Sequence, residues 1–416
     1  MNNNSITVVG MGYVGLPLAA ALSDHFEVYG YDISKTRIDE LKNGFDRNEE
    51  AHEFGRINFN TDLSKCNSDV YIIAVPTPIL AGSIHPDLDC LEKASAAVGR
   101  VLKAGDLVVY ESTVYPGTIT QVCIPILEKF SNLKSPDEFS VGYSPERINP
   151  GDTRHTVDKI DKIVSGQNAE IAIRVGKIYT PILKGAKVWA VSNIETAEMA
   201  KLIENCQRDV NIAFMNEVAE LCGKLNLETS EVLAAANTKW NFIPFEPGLV
   251  GGHCIPVDPY YFIHVAGRVG SDSRLMAASR YVNSNVPKLI TEKVMQNLWQ
   301  RKVPLKDATI LVLGLSFKEN CKDTRNSQSF EILDILRSNG ACVVGYDPIV
   351  GEGTAVPLNS LGTFDSIIIA VKHECFVNIP VSTFRMLSKG VPHLFDIKNI
   401  YNKQLFEQHG VKVWQM

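Results

Sequence analysis

The residues best suited to chemistry concentrate in Gly248-Leu-Val-Gly-Gly-His-Cys-Ile-Pro-Val-Asp-Pro-Tyr-Tyr261. Cys254 sits there among glycines and prolines, where backbone can approach a ligand closely and a thiol can be held at the surface of a cleft. Asp258 adds a carboxylate four residues later. A thiol so placed suits nucleophilic catalysis. The competing reading is a structural cysteine in a turn, because free cysteines are among the most buried residues and glycine-proline runs mark turns.

Three other groups of residues bear on the choice. Lys201 and Asn205 are four apart in a segment of helical pattern, so they project from one face, one turn after the other. Beside a reactive thiol, an ammonium and an amide form a pair of donors for an oxyanion; elsewhere they are an ordinary exposed pair. In Ser144-Pro-Glu-Arg-Ile-Asn-Pro-Gly-Asp152, Glu146 and Arg147 read as a solvated pair. In Gly314-Leu-Ser-Phe-Lys-Glu-Asn-Cys-Lys-Asp-Thr-Arg325, Lys318 and Arg325 either clamp phosphate, as a point charge and a planar fork, or belong to a solvated loop.

The elements that must position these groups begin at the N-terminus. Ile6 to Val9 read as a buried strand, followed by Gly10-Met-Gly12-Tyr13-Val14-Gly15 and a helix from Leu16. In such a strand-turn-helix unit the first glycine permits the tight turn, the second admits a pyrophosphate and the third lets helix and strand pack. A second strand, Phe26 to Tyr31, ends in Asp32, about 20 residues beyond the glycines, where a carboxylate accepts the adenosine ribose hydroxyls. Asp32 would repel a 2′-phosphate, so NAD is expected rather than NADP. Val70 to Val75 and Leu107 to Tyr110 continue the parallel-strand rhythm, and Pro76-Thr77-Pro78 and Glu111-Ser-Thr113 follow at their carboxyl ends, where an open parallel sheet binds ligands. Phe139 to Tyr143, Ile163 to Ser165 and Val188 to Val191 complete a first domain.

From Glu195 to Leu225 the apolar spacing becomes helical, and a segment that long is expected to join two domains and contribute to a dimer interface. A further helix is expected over Arg274 to Asn285, with Arg280 and Asn283 on one face, and a linker from Pro287 past Arg301-Lys302. Strand and helix then alternate from Ala308 to Asp396, like half of a doubly wound sheet without the glycine fingerprint. The expected fold is α/β, with two Rossmann-like doubly wound domains joined by a helical central domain with a long connecting helix. The boundaries are 1–190 for the NAD-binding domain, 191–300 for the central domain and 301–416 for the last. With 41 basic and 47 acidic residues, a net charge of -6, the chain gives no reason to expect a nucleic acid or membrane partner. Nine scattered cysteines without a Cys-x-x-Cys pair, and no signal-like or membrane-length apolar run, point to a reducing, cytoplasmic setting. His253, Cys254 and His264 lack a fourth ligand at sensible spacing, so no metal is expected.

Taken together, Gly10-x-Gly-x-x-Gly15-Leu-Pro, Ser144-Pro-Glu-Arg, the helix bearing Lys201 and Asn205, Gly251-Gly-His-Cys254 and Phe317-Lys-Glu-Asn-x-x-Asp-Thr-Arg325 resemble the UDP-glucose/GDP-mannose dehydrogenase family, in order and across the chain. Ser144 to Asp152 and Lys239-Trp-Asn-Phe-Ile-Pro-Phe245 look most like its branch acting on UDP-N-acetylhexosamines in bacterial surface-polysaccharide synthesis. The resemblance implies a four-electron oxidation at C6, consuming two NAD and one water, best placed on UDP-N-acetylglucosamine. It implies catalytic roles for Cys254 as nucleophile and for Lys201, Asn205, Asp258, Glu146 and Thr113. It implies cofactor contacts at Gly10, Gly12, Tyr13, Val14, Gly15, Asp32, Arg37, Pro76, Thr77, Thr113 and Arg325. Substrate contacts are implied at Glu146, Arg147, Lys201, Asn205, Gly248, Gly251 and Lys318, within a homodimer or higher homo-oligomer. Two positions depart from the pattern: Pro150 replaces a second acid found in some relatives, and Pro244 to Pro247 replaces a run with a basic residue. A two-electron hydroxy-acid-type dehydrogenase is the nearest rival, and it would have no use for Cys254; a non-catalytic nucleotide-binding protein would need neither the cysteine, the lysine nor the aspartate.

Overall fold

A computed structural model describes residues 5–48, 54–80, 83, 85–148, 156–351 and 357–416. The departure expected at Pro150 lies outside the described residues. The chain forms two compact units, one of residues 1–204 and 260–272, the other of residues 205–259 and 273–416.

In the first unit the apolar runs become eight strands: β1 (Ser5–Val9), β2 (Glu27–Tyr31), β3 (Asn58–Asn60), β4 (Val70–Ile73), β5 (Leu107–Tyr110), β6 (Ser140–Tyr143), β7 (Lys162–Gly166) and β8 (Val188–Ala190). They align in the order β3-β2-β1-β4-β5-β6-β7-β8. β4 and β5 are buried at every position, as strands covered on both faces must be. Pairing is parallel from β3 to β6, whereas β7 runs antiparallel to β6, through Gly142 with Gly166 and Tyr143 with Ser165. Helices α1 (Gly15–Ser23), α2 (Lys35–Lys42), α3 (Asp89–Gly99), α4 (Ile124–Ser131) and α5 (Ala169–Tyr179) connect them. Separate apolar clusters on the two faces, around Ile6, Leu16 and Val175 and around Ile73, Leu127 and Tyr143, make the core.

The helical stretch is realised as α6 (Ile194–Leu225), 32 residues without interruption. The second unit takes over along it at Asn205 and continues with α7 (Thr229–Ala236). Next come α8 (Asp258–Arg268), whose residues from Tyr260 on belong to the first unit, and α9 (Arg274–Gln300). The linker expected at Pro287 is not there: α9 runs through the proline to Gln300. Proline has no N–H for the carbonyl four residues earlier, which usually breaks a helix. Here that carbonyl, of Asn283, accepts a hydrogen bond from Gln328 Nε2 at 2.9 Å, so the lost partner is replaced from outside the helix. The remaining sheet of the second unit comprises β9 (Thr309–Leu313), β10 (Cys342–Tyr346), β11 (Ser366–Ile369), β12 (His393–Asp396) and β13 (Lys412–Gln415), ordered β10-β9-β11-β12-β13 and parallel throughout. α10 (Gln328–Ser338) covers one face. No helix among the described residues is long and apolar enough to cross a membrane.

Candidate active site

The turn after β1 is built as its glycines require. Gly10 has φ +100°, and a Cβ there would lie 2.6 Å from the Ala74 carbonyl oxygen; a Cβ on Gly15 would lie 1.8 Å from the oxygen of Gly10. At Gly12 a Cβ would meet nothing within 4 Å, so the backbone between the two is open to a ligand's phosphates. Asp32 holds the turn, accepting from Met11 N at 2.9 Å and Ser34 N at 2.8 Å. Arg37 braces the turn from inside. It is buried, donates from Nε to the Met11 carbonyl at 2.8 Å and pairs with Asp46 at 2.7 Å. Tyr13 and Val14 lie on the turn itself. Beyond β4 and β5, Thr77 Oγ1 donates to the Thr113 carbonyl at 2.7 Å, and the Tyr261 hydroxyl donates to the carbonyls of Thr77 and Pro78 at 2.8 and 3.2 Å. The carboxyl ends of these strands thus form one rim, and the residues present fit a dinucleotide.

The second unit repeats the device with different chemistry. Gly314, φ +93°, follows β9 as Gly10 follows β1; Gly314 N donates to the Tyr346 carbonyl as Gly10 N does to that of Tyr31. Asp347 accepts from Leu315 N at 2.7 Å and Ile349 N at 2.9 Å, the counterpart of Asp32. Here the carboxylate is also paired with buried His373, whose Nε2 lies 3.0 Å away. Asn320 N donates to Nδ1, which leaves the proton on Nε2 for Asp347. These hydrogen bonds hold Asp347 down at about 2 against the pull of burial. With its carboxylate tied to a histidine and serine at the place of the second glycine, this turn is not arranged for a dinucleotide.

The cysteine loop is fastened to that domain. Asn216, from α6, accepts from Gly248 N at 2.7 Å and donates to Asn283 Oδ1 at 2.8 Å. Gln328 accepts from Val250 N at 2.6 Å, and Asn326 Nδ2 donates to the Gly252 carbonyl at 3.0 Å. Gly251 packs so tightly that a Cβ would fall 2.8 Å from the Asn326 oxygen and 2.9 Å from Phe317 Cβ. Half-buried Cys254 ends this loop, and its carbonyl accepts from Val257 N and Asp258 N at the start of α8. Asp258 is 2% exposed and its Oδ2 accepts from Asn205 Nδ2 at 2.6 Å. The fold therefore joins two of the sequence candidates, Asn205 and Asp258, across 53 residues. Lys201 lies buried one turn earlier on α6.

Lys318, Gly251, Phe317, Ser327 and Gln328 line a small cleft together with Lys398, a residue the sequence reading missed. Lys398 Nζ would touch a Cβ placed on Gly248, at 3.3 Å. Crowding by protein and the nearby Lys372 ammonium lower its pKa, against the pull of Glu319 and Glu246. A cation so placed is ready for an anionic ligand; the sequence signal, a lone lysine after Phe395-Asp396, is too weak to have found it. Arg325 forms a fork with Asp323, from Nη2 at 2.6 Å and Nε at 2.9 Å.

Glu146 and Arg147 are not the solvated pair expected. Glu146 is 9% exposed and takes Lys162 at 2.9 Å, while Arg147 turns away to Glu204 at 2.8 Å and the Asp161 carbonyl at 2.9 Å. Sequence neighbours after a strand point to opposite sides, and the buried lysine decides which one goes inward.

A glycine turn fit for a dinucleotide in the first unit, and in the second a loop cysteine next in sequence to a buried Asn205–Asp258 pair, are the parts of an NAD-dependent dehydrogenase. Residues 4–183 match the NAD binding domain of the UDP-glucose/GDP-mannose dehydrogenase family, residues 195–285 its central domain and residues 311–403 its UDP binding domain. The chain belongs to that family and is an NAD-dependent UDP-sugar dehydrogenase. It is 43% identical to UDP-N-acetyl-D-glucosamine 6-dehydrogenase of Pseudomonas aeruginosa, over 97% of this chain and 98% of that one. Its identity to the enzyme of the same name from Salmonella typhi is 42%, covering 95% and 96%. Its structure resembles that of a UDP-D-ManNAc dehydrogenase from Pyrococcus horikoshii, with a TM-score of 0.86 at 30% identity over 96% of each chain.

Proposed function

We propose that the protein oxidises C6 of UDP-N-acetylglucosamine to the uronate in two successive two-electron steps, using one water, for the synthesis of capsule or O-antigen-type polysaccharide. The observation that carries this reading is the Cys254 loop, tied to Gln328 and Asn326 of the UDP binding domain through Val250 and Gly252 and to Asn216 of α6 through Gly248. The relatives named above, at 43% and 42% identity, support the glucosamine epimer.

Bound NAD, held by the Gly10–Gly15 turn and Asp32, supplies the hydride acceptor. The chain's own residues do the rest. Lys201, or Asp258 through a water, takes the proton of the C6 hydroxyl. Cys254 adds to the resulting aldehyde. Formation of the C–S bond leaves the one remaining C–H of C6 on a tetrahedral carbon bearing an oxyanion, so a second hydride can leave and a thioester remains on the cysteine. The Lys201 ammonium and the Asn205 amide donate to the oxyanion; losing one such donor costs about 100- to 1000-fold in rate. Asp258 or Glu146 positions the water that releases the acid. Lys398 and Lys318 hold the diphosphate, Thr113 assists the cysteine and Arg147 contacts the substrate. Exposed apolar side chains along α6, Ile203, Phe214, Leu221 and Leu225, support a homodimer built on that helix, with 191–300 as the dimerising module.

The test is the yield of NADH from a limiting, known amount of UDP-N-acetylglucosamine with excess NAD. Two NADH per sugar nucleotide is expected. One would favour a two-electron oxidation and leave Cys254 structural; none would redirect the assay to UDP-N-acetylgalactosamine. Cys254→Ala is expected to abolish uronate formation and leave NAD affinity within about twofold, because the cofactor turn and the thiol are held by separate hydrogen bonds.

A further inference from the structure

Behind Glu146 lies a buried cluster with no part in the chemistry above. Glu111 follows β5, Lys162 opens β7 and Tyr179 ends α5, and they are 1%, 4% and 0% exposed. Lys162 Nζ stands between the two carboxylates, 3.0 Å from Glu111 Oε1 and 2.9 Å from Glu146 Oε2, and lies 4.9 Å from the centre of the Tyr179 ring. The Tyr179 hydroxyl donates to Glu111 Oε1 at 2.6 Å. Glu146 is saturated on its other oxygen, accepting from Arg147 N at 2.5 Å and Ile148 N at 2.6 Å. Glu111 Oε2 has no hydrogen-bond partner among the described residues.

Two carboxylates and one ammonium in one buried pocket leave an uncompensated negative charge, which is costly to bury. The two acids are not equivalent. Lys162 and the two backbone N–H groups favour ionised Glu146 and outweigh its burial, so its pKa falls. Burial dominates at Glu111, which the Glu146 charge raises further; Lys162 and Tyr179 only partly offset this, and it rises to about 7. The surrounding charges are these four groups, with Arg147 neutralised by Glu204 of α6. Glu111 therefore titrates near neutrality, an anion able to take a proton above about pH 7 and neutral below it.

We infer that Glu111 is the proton store for the hydrolytic step, exchanging with Glu146 through the Lys162 ammonium that touches both. This rests on the reading that Glu146 positions the water attacking the thioester. When that water bonds to the acyl carbon, its proton passes to Glu146. Ionised Glu111 first takes a proton from the Lys162 ammonium, its O–H forming as that N–H breaks, and the neutral amine so formed then takes the Glu146 proton, an N–H forming as the Glu146 O–H breaks. No oxidant or reductant is needed, and Glu146 is again an anion for the next turnover. Glu111 never touches substrate; it is a relay residue, fixed by Tyr179.

The experiment compares wild type, Glu111→Gln and Tyr179→Phe over pH 5.5–9, following NADH in both burst and steady state and the acyl group on Cys254 by mass spectrometry of quenched enzyme. Wild type is expected to show a limb of steady-state kcat near pH 7. Glu111→Gln should lose that limb and about 100-fold of steady-state kcat, the usual scale of one proton-transfer group, while the NADH burst and both KM values stay within about twofold and acyl-enzyme accumulates. Tyr179→Phe, which removes a hydrogen bond favouring the Glu111 anion, should move the limb to higher pH. An unchanged profile in both variants, or equal loss of burst and steady state, overturns the relay. One NADH per sugar from wild type overturns the underlying reading itself, and so separates the two failures.

Discussion

Replacing Gly251 by alanine tests whether the cysteine loop is set by its packing on the UDP-binding unit. The new Cβ would lie 2.8 Å from the Asn326 carbonyl oxygen and 2.9 Å from Phe317 Cβ, with Ser327 Cα at 3.4 Å. Neither close neighbour is the far end of a flexible side chain. The loop must back away by about 0.5 Å to recover ordinary contact, and overpacking of this kind costs about 1–3 kcal/mol. Part of that cost returns as displacement, because the loop is held at Gly248, Val250 and Gly252 by single side chains. Cys254 is three residues on, and a misplacement of about 1 Å is worth on the order of 100-fold in rate. The expected result is a Tm lower by roughly 2–10 °C and a kcat lower by roughly 10- to 100-fold, with KM for NAD unchanged. Scanning calorimetry and steady-state NADH formation read these quantities. An alanine variant with wild-type Tm and kcat would refute the argument, since the loop would then have had room to spare.

Other outcomes follow from the same geometry. Lys398→Met should weaken UDP binding by about 10- to 100-fold in titration calorimetry, the loss of one charge-assisted contact; an unchanged Kd would remove Lys398 from the site. Asp106, buried and accepting from Lys103 N at 2.8 Å, is pushed up by its burial to about 6. A carboxyl raised on folding favours the folded state below its ordinary value near 3.8, and that contribution is lost as pH climbs to about 6. Asp106→Asn should therefore gain on wild type between pH 4 and 6, reaching on the order of 1–2 kcal/mol above it, as read by denaturant melts across pH; a difference that does not change with pH would contradict this.

Whatever is local was legible in the chain alone. The Gly10–Gly15 turn follows from residues within one strand-turn-helix unit, because positive φ and close approach are properties of single positions. The 32 residues of α6 follow from periodicity, and the spacing of Lys201 and Asn205 from the helical repeat. Cys254 was legible as a candidate because the glycines around it are in its own segment.

Features that depend on distant partners were set by the folded arrangement. Pro287 reads as a stop, yet α9 continues because Gln328, 41 residues later, takes the orphaned carbonyl at a position no local pattern records. Glu146 and Arg147 read as one exposed pair, and they separated because Lys162 and Glu204 offer each a better partner. Lys398 and the Glu111–Lys162 cluster were invisible for the same reason. A charge on a strand end gives no sign of whether it meets water or another charge until the sheet brings its neighbours in, and the cost of burying it unpaired then fixes the arrangement.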